Sequence, residues 1–310
     1  SAANIMEDWA EPLGTLLMKE VGKPIKSAIA EITRTAEIFR FTAEVGVQIE
    51  GNTIVGDAFS GYTRGKVSMT YRVPLGVILC IGPFNYPFNL TGPKIAPALM
   101  AGNTIIMKPP TQGALCATYF GKILELAGVP PGVFNIATWR GSVIGDYLVS
   151  HPDVNMIAFT GSSPTGLQIA QKVGMKPLLL ELGGKDAAII LDDAELEPTA
   201  SAIVKGAFSF SGQRCTAVKR VLPMPTIADP LVELIIAQTK KLSIGDPKDN
   251  CTIGPLINSA QCEYVQGLID DALSKGAHLL TGNKRSGNIM WPTVLDHVTQ
   301  DMRIAWEEPF

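Results

Sequence analysis

From Val77 to Leu182 short apolar runs alternate with longer stretches of helical periodicity, and this alternation constrains the fold more than any other feature of the chain. The runs fall at 77–81, 104–108, 133–137, 156–160 and 178–182, with helical stretches near 91–101, 114–127, 141–149 and 164–173. Strands joined by crossover helices build a parallel sheet wound on both faces. Ligands of such sheets bind beyond the carboxyl ends of the strands. The loops that follow these strands are therefore the first places to look for chemistry.

The flanking segments extend the pattern. Residues 1 to about 48 read as helix, with Ile5, Trp9, Leu13, Leu16, Leu17 and Val21 at helical spacing. Gly22 and Pro24 break the run, and a second helix carries Ile29, Ile32, Ala36 and Phe39. After Glu181 a second α/β block has strands at 186–191 and 218–224 and helices near 196–209, 228–240 and 259–275. A chain of 310 residues, 46% hydrophobic, is too long for one compact domain to be the default. The expected division is 1–182 for the N-terminal helices and the wound sheet, and 183–310 for the second block.

Composition excludes several classes of function. With a formal net charge of −3 and scattered basic residues, the chain has no footprint for nucleic acid or an anionic membrane. Its longest apolar run, Val73 to Ile81, is interrupted by Pro74 and Gly76 and is too short to span a bilayer. The five cysteines (80, 116, 215, 251 and 262) are odd in number and form no CxxC pair, which points away from disulfides and zinc and towards a reducing, cytoplasmic compartment. Only His151, His278 and His297 are histidines, so acid–base work falls to carboxylates. The chain starts at Ser1-Ala2-Ala3 rather than methionine and stops at Trp306-Glu307-Glu308-Pro309-Phe310 without a cap. It is expected to be a piece of a longer protein, cut within a motif, with any upstream targeting segment lying outside it.

Five loops carry candidate chemistry. Ser211-Gly212-Gln213-Arg214-Cys215-Thr216 follows a helix. A thiolate is a strong nucleophile, and a positive charge such as Arg214 favours it over the thiol. An arbitrary cysteine is more often a buried structural residue. In Leu180-Glu181-Leu182-Gly183-Gly184-Lys185-Asp186, Glu181 ends an apolar strand, where partial desolvation would raise its pKa towards that of a general base. The plainer reading is a salt bridge to Lys185 or another lysine. Gly82-Pro83-Phe84-Asn85-Tyr86-Pro87 follows strand 77–81, and its Asn85 amide can serve a developing oxyanion or simply a turn. Phe159-Thr160-Gly161-Ser162-Ser163-Pro164-Thr165-Gly166 opens a helix with small residues, as a pyrophosphate site does, although it is not a GxGxxG fingerprint. Met107-Lys108-Pro109-Pro110-Thr111 puts a lysine at a strand end, facing either a ribose or phosphate or only solvent.

In this order these motifs, together with the terminal Glu-Glu-x-Phe, resemble the aldehyde dehydrogenase superfamily from about residue 25 to 310. Phe84-Asn85-Tyr86-Pro87, Lys108 to Gly113 and Gly212 to Lys219 look most like its non-phosphorylating glyceraldehyde-3-phosphate dehydrogenases. The resemblance implies a Rossmann-like cofactor domain plus an α/β catalytic domain carrying the nucleophilic cysteine. It also implies a fragment lacking both ends of the full enzyme, which is expected to be a homodimer or homotetramer. Cys215 would form a thiohemiacetal and then a thioester, with the oxyanion held by Asn85 and the Cys215 backbone N–H. Glu181 would activate the hydrolytic water. Arg34, Tyr86, Arg214 and Thr216 would line a site for a phosphorylated aldehyde; guanidinium forks suit a phosphate. The cofactor would meet Ser162 at the pyrophosphate, Lys108 on the adenosine side and Glu308 at the nicotinamide ribose. Gly82, Phe84, Thr111, Asp146, Gly161, Gly166, Glu181, Leu182 and Gly183 would complete its site.

NAD-preferring relatives often carry glutamate where this chain has Thr111, so NADP is expected over NAD. Thr111 has a second reading as a cap for the helix near Ala114. No metal is implied. Two other functional readings stay open: a different NAD(P)-dependent aldehyde or semialdehyde dehydrogenase, and an inactive truncated member with a binding or structural role.

Overall fold

The computed structural model describes residues 1–56, 60–61 and 65–310. In chain order the elements that matter are helices α1 (Ala2–Asp8), α2 (Ala10–Val21) and α3 (Ile25–Gly46), strands β1 (Thr53–Val55), β2 (Val67–Met69) and β3 (Val77–Ile81), helix α4 (Gly92–Met100), β4 (Thr104–Lys108), α5 (Ala114–Leu126), β5 (Phe134–Ile136), α6 (Gly141–Ser150), β6 (Val154–Thr160), α7 (Ser163–Lys172) and β7 (Leu178–Glu181). There follow β8 (Ala187–Ile190), α8 (Leu196–Phe208), β9 (Arg220–Pro223), α9 (Ala228–Thr239) and α10 (Ser259–Ser274). The single N-terminal helix expected up to Gly22 is two, parted at Trp9.

The chain divides into two compact units: residues 1–10, 31–160 and 167–180 form one, and 11–30, 161–166 and 181–310 the other. The expected cut at 182 differs from this division, because two earlier stretches group with the C-terminal unit. Local contacts explain both. A Cβ at Gly22 would sit 2.7 Å from Pro255 Cγ, and the Gly161 N–H donates to the Glu181 carbonyl at 3.1 Å.

The first unit is built on a five-stranded sheet in the order β5-β4-β3-β6-β7. Strand β3 runs parallel to both its neighbours, with Cys80 level with Met107 on one side and Ala158 on the other. The chain enters at β3, winds outward through β4 and β5, and then returns to β6 on the far side. That reversal is the topological switch point of the sheet, where such folds bind ligands. Ile78, Leu79 and Cys80 are all buried, as expected of a strand covered on both faces. Asn103 pins the start of β3, its Oδ1 accepting the N–H groups of Leu75 (2.7 Å) and Gly76 (2.9 Å). Helix α5 closes one face through Phe120, which stacks on Phe88 at 4.1 Å.

In the second unit β8 and β9 pair in parallel, and Ile190 of β8 shares a core with Ala200, Ile203 and Val204 of α8 and Leu231 and Ile235 of α9. The hairpin β1–β2 and further short strands between 278 and 296 had no clear signature in the sequence. Among the described residues no helix is long and apolar enough to cross a membrane.

Candidate active site

In the second unit, distant stretches of sequence meet around the cysteine loop. Cys215 is partly exposed, whereas Cys80, Cys116, Cys251 and Cys262 are buried. The loop leading to it is strained: Phe210 (φ 54°) and Ser211 (φ 56°) are left-handed without being glycine, and Gly212 (φ 73°) follows. Each such non-glycine residue costs on the order of 1–3 kcal/mol and persists only when its surroundings hold it. Here they do. Ser211 Oγ donates to the Gly254 carbonyl and accepts the Gly254 N–H, both at 3.0 Å. Gln213 Oε1 accepts the Ile257 N–H at 2.9 Å, and the Lys23 ammonium lies 4.7 Å above the Phe210 ring. Cys215 follows this held turn and is partly exposed.

Charges surround the loop. The Lys219 ammonium donates to the Cys215 carbonyl and lies 3.3 Å from Glu308 Oε1. That second contact is off the line of a hydrogen bond, so it is an ion pair, and Oε1 is otherwise a buried oxygen without a hydrogen-bond donor among the described residues. A Cβ on Gly183 would sit 1.7 Å from Glu308 Oε2, which explains why only glycine fits there. Lys185 donates to the Glu307 carbonyl at 2.8 Å, and its own carbonyl accepts two hydrogen bonds from Arg220, at 2.7 and 3.1 Å. Burial, and then the neighbouring Lys219 and Arg220, push the Lys185 ammonium down to about 8. Gly161 reaches this unit through Glu181, and a Cβ at Gly166 would meet Leu182 at 2.5 Å. Of the residues singled out in the sequence, the fold joins Gly161, Gly166, Glu181, Leu182, Gly183, Cys215 and Glu308 through these contacts.

Two local expectations are corrected. Glu181 is exposed rather than desolvated, because β7 alternates half-buried and exposed positions and Glu181 falls on the exposed face with Leu179. The Lys185 ammonium is used on the Glu307 carbonyl and not in the plainer role of a partner for Glu181. Arg214 donates to the Gly206 carbonyl, and its Nε is buried without a hydrogen-bond partner among the described residues. Ser162 is exposed just ahead of α7, with its hydroxyl 2.9 Å from that of Thr165. Thr216 is exposed beside the cysteine.

In the first unit Asn85 is 2% exposed, held in the loop after β3, with Phe84 and Tyr86 half-buried on either side. Gly82 has no room for a side chain: a Cβ would lie 2.0 Å from Thr91 Oγ1. Lys108 is buried at the end of β4, donates to the Pro109 carbonyl at 2.9 Å, and has its pKa lowered by burial. The surface reading of Lys108 is thereby set aside. Thr111 is exposed and does not cap α5, whose N-cap is Gly113 in a left-handed conformation. Arg34 is exposed on α3; the neighbouring Glu31 turns inward and accepts the N–H groups of Phe88 (2.9 Å) and Asn89 (3.1 Å). Asp146 forms an exposed pair with Lys172 at 2.5 Å. Lys94, which no sequence motif singles out, has a buried ammonium that donates to Leu90 O (2.7 Å) and Thr160 Oγ1 (2.5 Å). Lys219 and Arg220 are likewise not singled out, and Lys185 is considered only as a partner for Glu181. Among the described residues no cluster of His, Cys, Asp or Glu is arranged to hold a metal.

Comparison with known proteins agrees with this architecture. Residues 1–310 match the aldehyde dehydrogenase family, and the chain belongs to that family. It is 52% identical over 309 residues to the NADP-dependent glyceraldehyde-3-phosphate dehydrogenase of Streptococcus equinus, covering all of this chain and 65% of that one. It is 50% identical over 311 residues to the enzyme of the same name from Nicotiana plumbaginifolia, of which it covers 62%. A crystal structure of the Bacillus halodurans NADP-dependent glyceraldehyde-3-phosphate dehydrogenase complexed with NADP superposes with a TM-score of 0.98 at 52% identity, over all of this chain and 65% of that one. A salicylaldehyde dehydrogenase from Pseudomonas putida complexed with salicylaldehyde gives 0.95 at 37%, over all of this chain and 64% of that one. The chain therefore spans just under two thirds of the length of these relatives.

Proposed function

We propose that the protein to which these residues belong oxidises glyceraldehyde 3-phosphate to 3-phosphoglycerate with reduction of NADP and without inorganic phosphate. The observation that carries this reading is the joining of Cys215 and Glu308 through Lys219, with Glu308 seated against Gly183, in a chain about half identical to enzymes of that name.

Cys215 Sγ attacks the aldehyde carbon, and the resulting oxyanion takes hydrogen bonds from the Asn85 amide and the Cys215 backbone N–H. A bound nicotinamide would supply the hydride acceptor for this carbon, so that Cys215 would be left carrying a thioester. Glu181 removes a proton from water, the hydroxide attacks the thioester, and the acid leaves with the thiolate restored. The exposure of Glu181 suits this role, since its substrate is water from solvent. Arg34, Tyr86, Arg214 and Thr216 are the proposed contacts of the phosphorylated aldehyde.

The residues present fit a phosphorylated dinucleotide. Glu308 offers a carboxylate backed by an ammonium, Lys108 a buried positive charge, and the exposed Thr111 a neutral hydroxyl. Phe84, Gly82, Asp146, Ser162 and the glycines named above complete the proposed cofactor site. A reducing compartment such as the cytoplasm suits the five free cysteines.

The test is an assay of the full-length protein on glyceraldehyde 3-phosphate with NADP and then NAD, each with and without phosphate. Phosphate-independent NADP reduction is expected. An absolute need for phosphate, or no oxidation of this aldehyde, would overturn the reading.

A further inference from the structure

We propose that Lys219 is a positioning residue that fixes the cysteine loop and Glu308 with a single ammonium group. The inference rests on the roles proposed above for Cys215 and Glu308.

The side chain of Lys219 is 2% exposed and that of Glu308 18%. A charge so enclosed is retained only when it is paired and hydrogen-bonded. Lys219 meets both conditions, and both of its partners belong to candidate machinery. On one side it donates to the carbonyl of Cys215, four residues earlier in the chain. That bond closes the turn 215–219 and fixes the peptide plane that follows the nucleophile. The Ala217 N–H to Arg214 carbonyl bond, at 3.1 Å, ties the same turn from the other side. On the other side Lys219 is the cation beside Glu308 Oε1, which has no hydrogen-bond donor among the described residues. Glu308 Oε2 lies against the backbone of Gly183. The carboxylate is thus held by an ammonium on one side and a wall on the other.

Removing the ammonium has two separable effects. Glu308 loses its ion-pair partner and turns towards water, so it no longer meets a ribose at a fixed place. The turn after Cys215 also loses the bond that closes it.

The experiment uses the full-length protein with Lys219→Met, Lys219→Arg, Glu308→Gln and the double variant Lys219→Met/Glu308→Gln. Two quantities are measured: the NADP dissociation constant, by protein-fluorescence titration, and the second-order rate of Cys215 alkylation by iodoacetamide across pH, without cofactor. Lys219→Met is expected to weaken NADP roughly ten- to a hundredfold, the loss of a charge-assisted contact. Once Glu308 is Gln, the same change should cost only about twofold, because the effect passes through Glu308. Lys219→Arg should recover part of the NADP affinity, since the charge is kept while the shape differs. Alkylation should change severalfold in Lys219→Met and stay constant in Glu308→Gln.

NADP affinity within twofold of wild type in Lys219→Met, or fully additive losses in the double variant, would overturn the proposal. If Glu308→Gln alone leaves NADP affinity intact, the role assigned to Glu308 fails; the alkylation profile then decides for Lys219, and an unchanged profile overturns it. Should Lys219→Met fail to fold, Lys219→Gln repeats the comparison. It keeps a donor for the Cys215 carbonyl but drops the ion pair, so NADP affinity should fall while alkylation stays. A loss of both or of neither would contradict the assignment.

Discussion

Replacing Gly183 by alanine probes the site with one methyl group. The new Cβ would lie 1.7 Å from Glu308 Oε2 and 2.7 Å from its Cδ. Normal contact requires the carboxylate to retreat by roughly 1.5 Å. It begins 3.3 Å from the Lys219 ammonium. At an effective dielectric constant of about 20, that pair is worth about 5 kcal/mol of Coulomb attraction, and about 1.5 kcal/mol of it is lost over such a displacement. The expected result is NADP affinity weakened by about tenfold, with Cys215 alkylation unaltered. Gly245→Ala is the control, because a Cβ there meets nothing within 4 Å; it should leave NADP binding unchanged. Titration of protein fluorescence with NADP reads both variants. Unchanged affinity in Gly183→Ala would refute the reasoning, since the carboxylate would then have room that the geometry denies it.

Three further outcomes follow from the same geometry. Limiting iodoacetamide should label Cys215 first: burial pushes Cys80 up to about 12, so at pH 8 its ionised fraction is roughly a thousandfold below that of an ordinary thiol, and peptide mapping that finds another cysteine labelled first contradicts this. Arg34→Leu should lower kcat/KM for glyceraldehyde 3-phosphate about ten- to a hundredfold more than for glyceraldehyde, the worth of one charge-assisted bond; equal losses would make Arg34 structural and favour a semialdehyde substrate. Thr111→Glu should reverse a preference for NADP over NAD, by on the order of 1–3 kcal/mol in relative kcat/KM, and an unchanged ratio would remove Thr111 from the cofactor site.

The wound sheet was legible because parallel strands covered on both faces read as unbroken apolar runs such as Val77-Ile78-Leu79-Cys80-Ile81, separated by glycine and proline. Asn85 and Glu181 were legible because they stand directly after or at the end of such a strand, and Cys215 because its glycine-containing loop follows a helix. The environments of those residues were harder to read. Glu181 ends an apolar strand, and only the alternation of β7 reveals that it faces out. Phe210 and Ser211 adopt left-handed conformations that no residue-type preference announces; contacts from Gly254 and from Lys23 hold them there. Lys219 stands two residues after buried Ala217 and looks like an ordinary strand-edge lysine. Its ion-pair partner, Glu308, is 89 positions away, and a pairing over that distance leaves no local pattern. The grouping of 11–30 with the C-terminal unit is hidden for the same reason.

The most direct test of the central claim is mass spectrometry of the full-length Glu181→Gln protein, quenched after mixing with glyceraldehyde 3-phosphate and NADP. Cys215 keeps its nucleophile and its turn in this variant, while the base for water is gone. The account predicts a rapid burst of reduced cofactor close to one per site, followed by slow turnover, and a phosphoglyceryl thioester on the peptide containing Cys215. Turnover at the wild-type rate, or an acyl group found on any other residue, would contradict it.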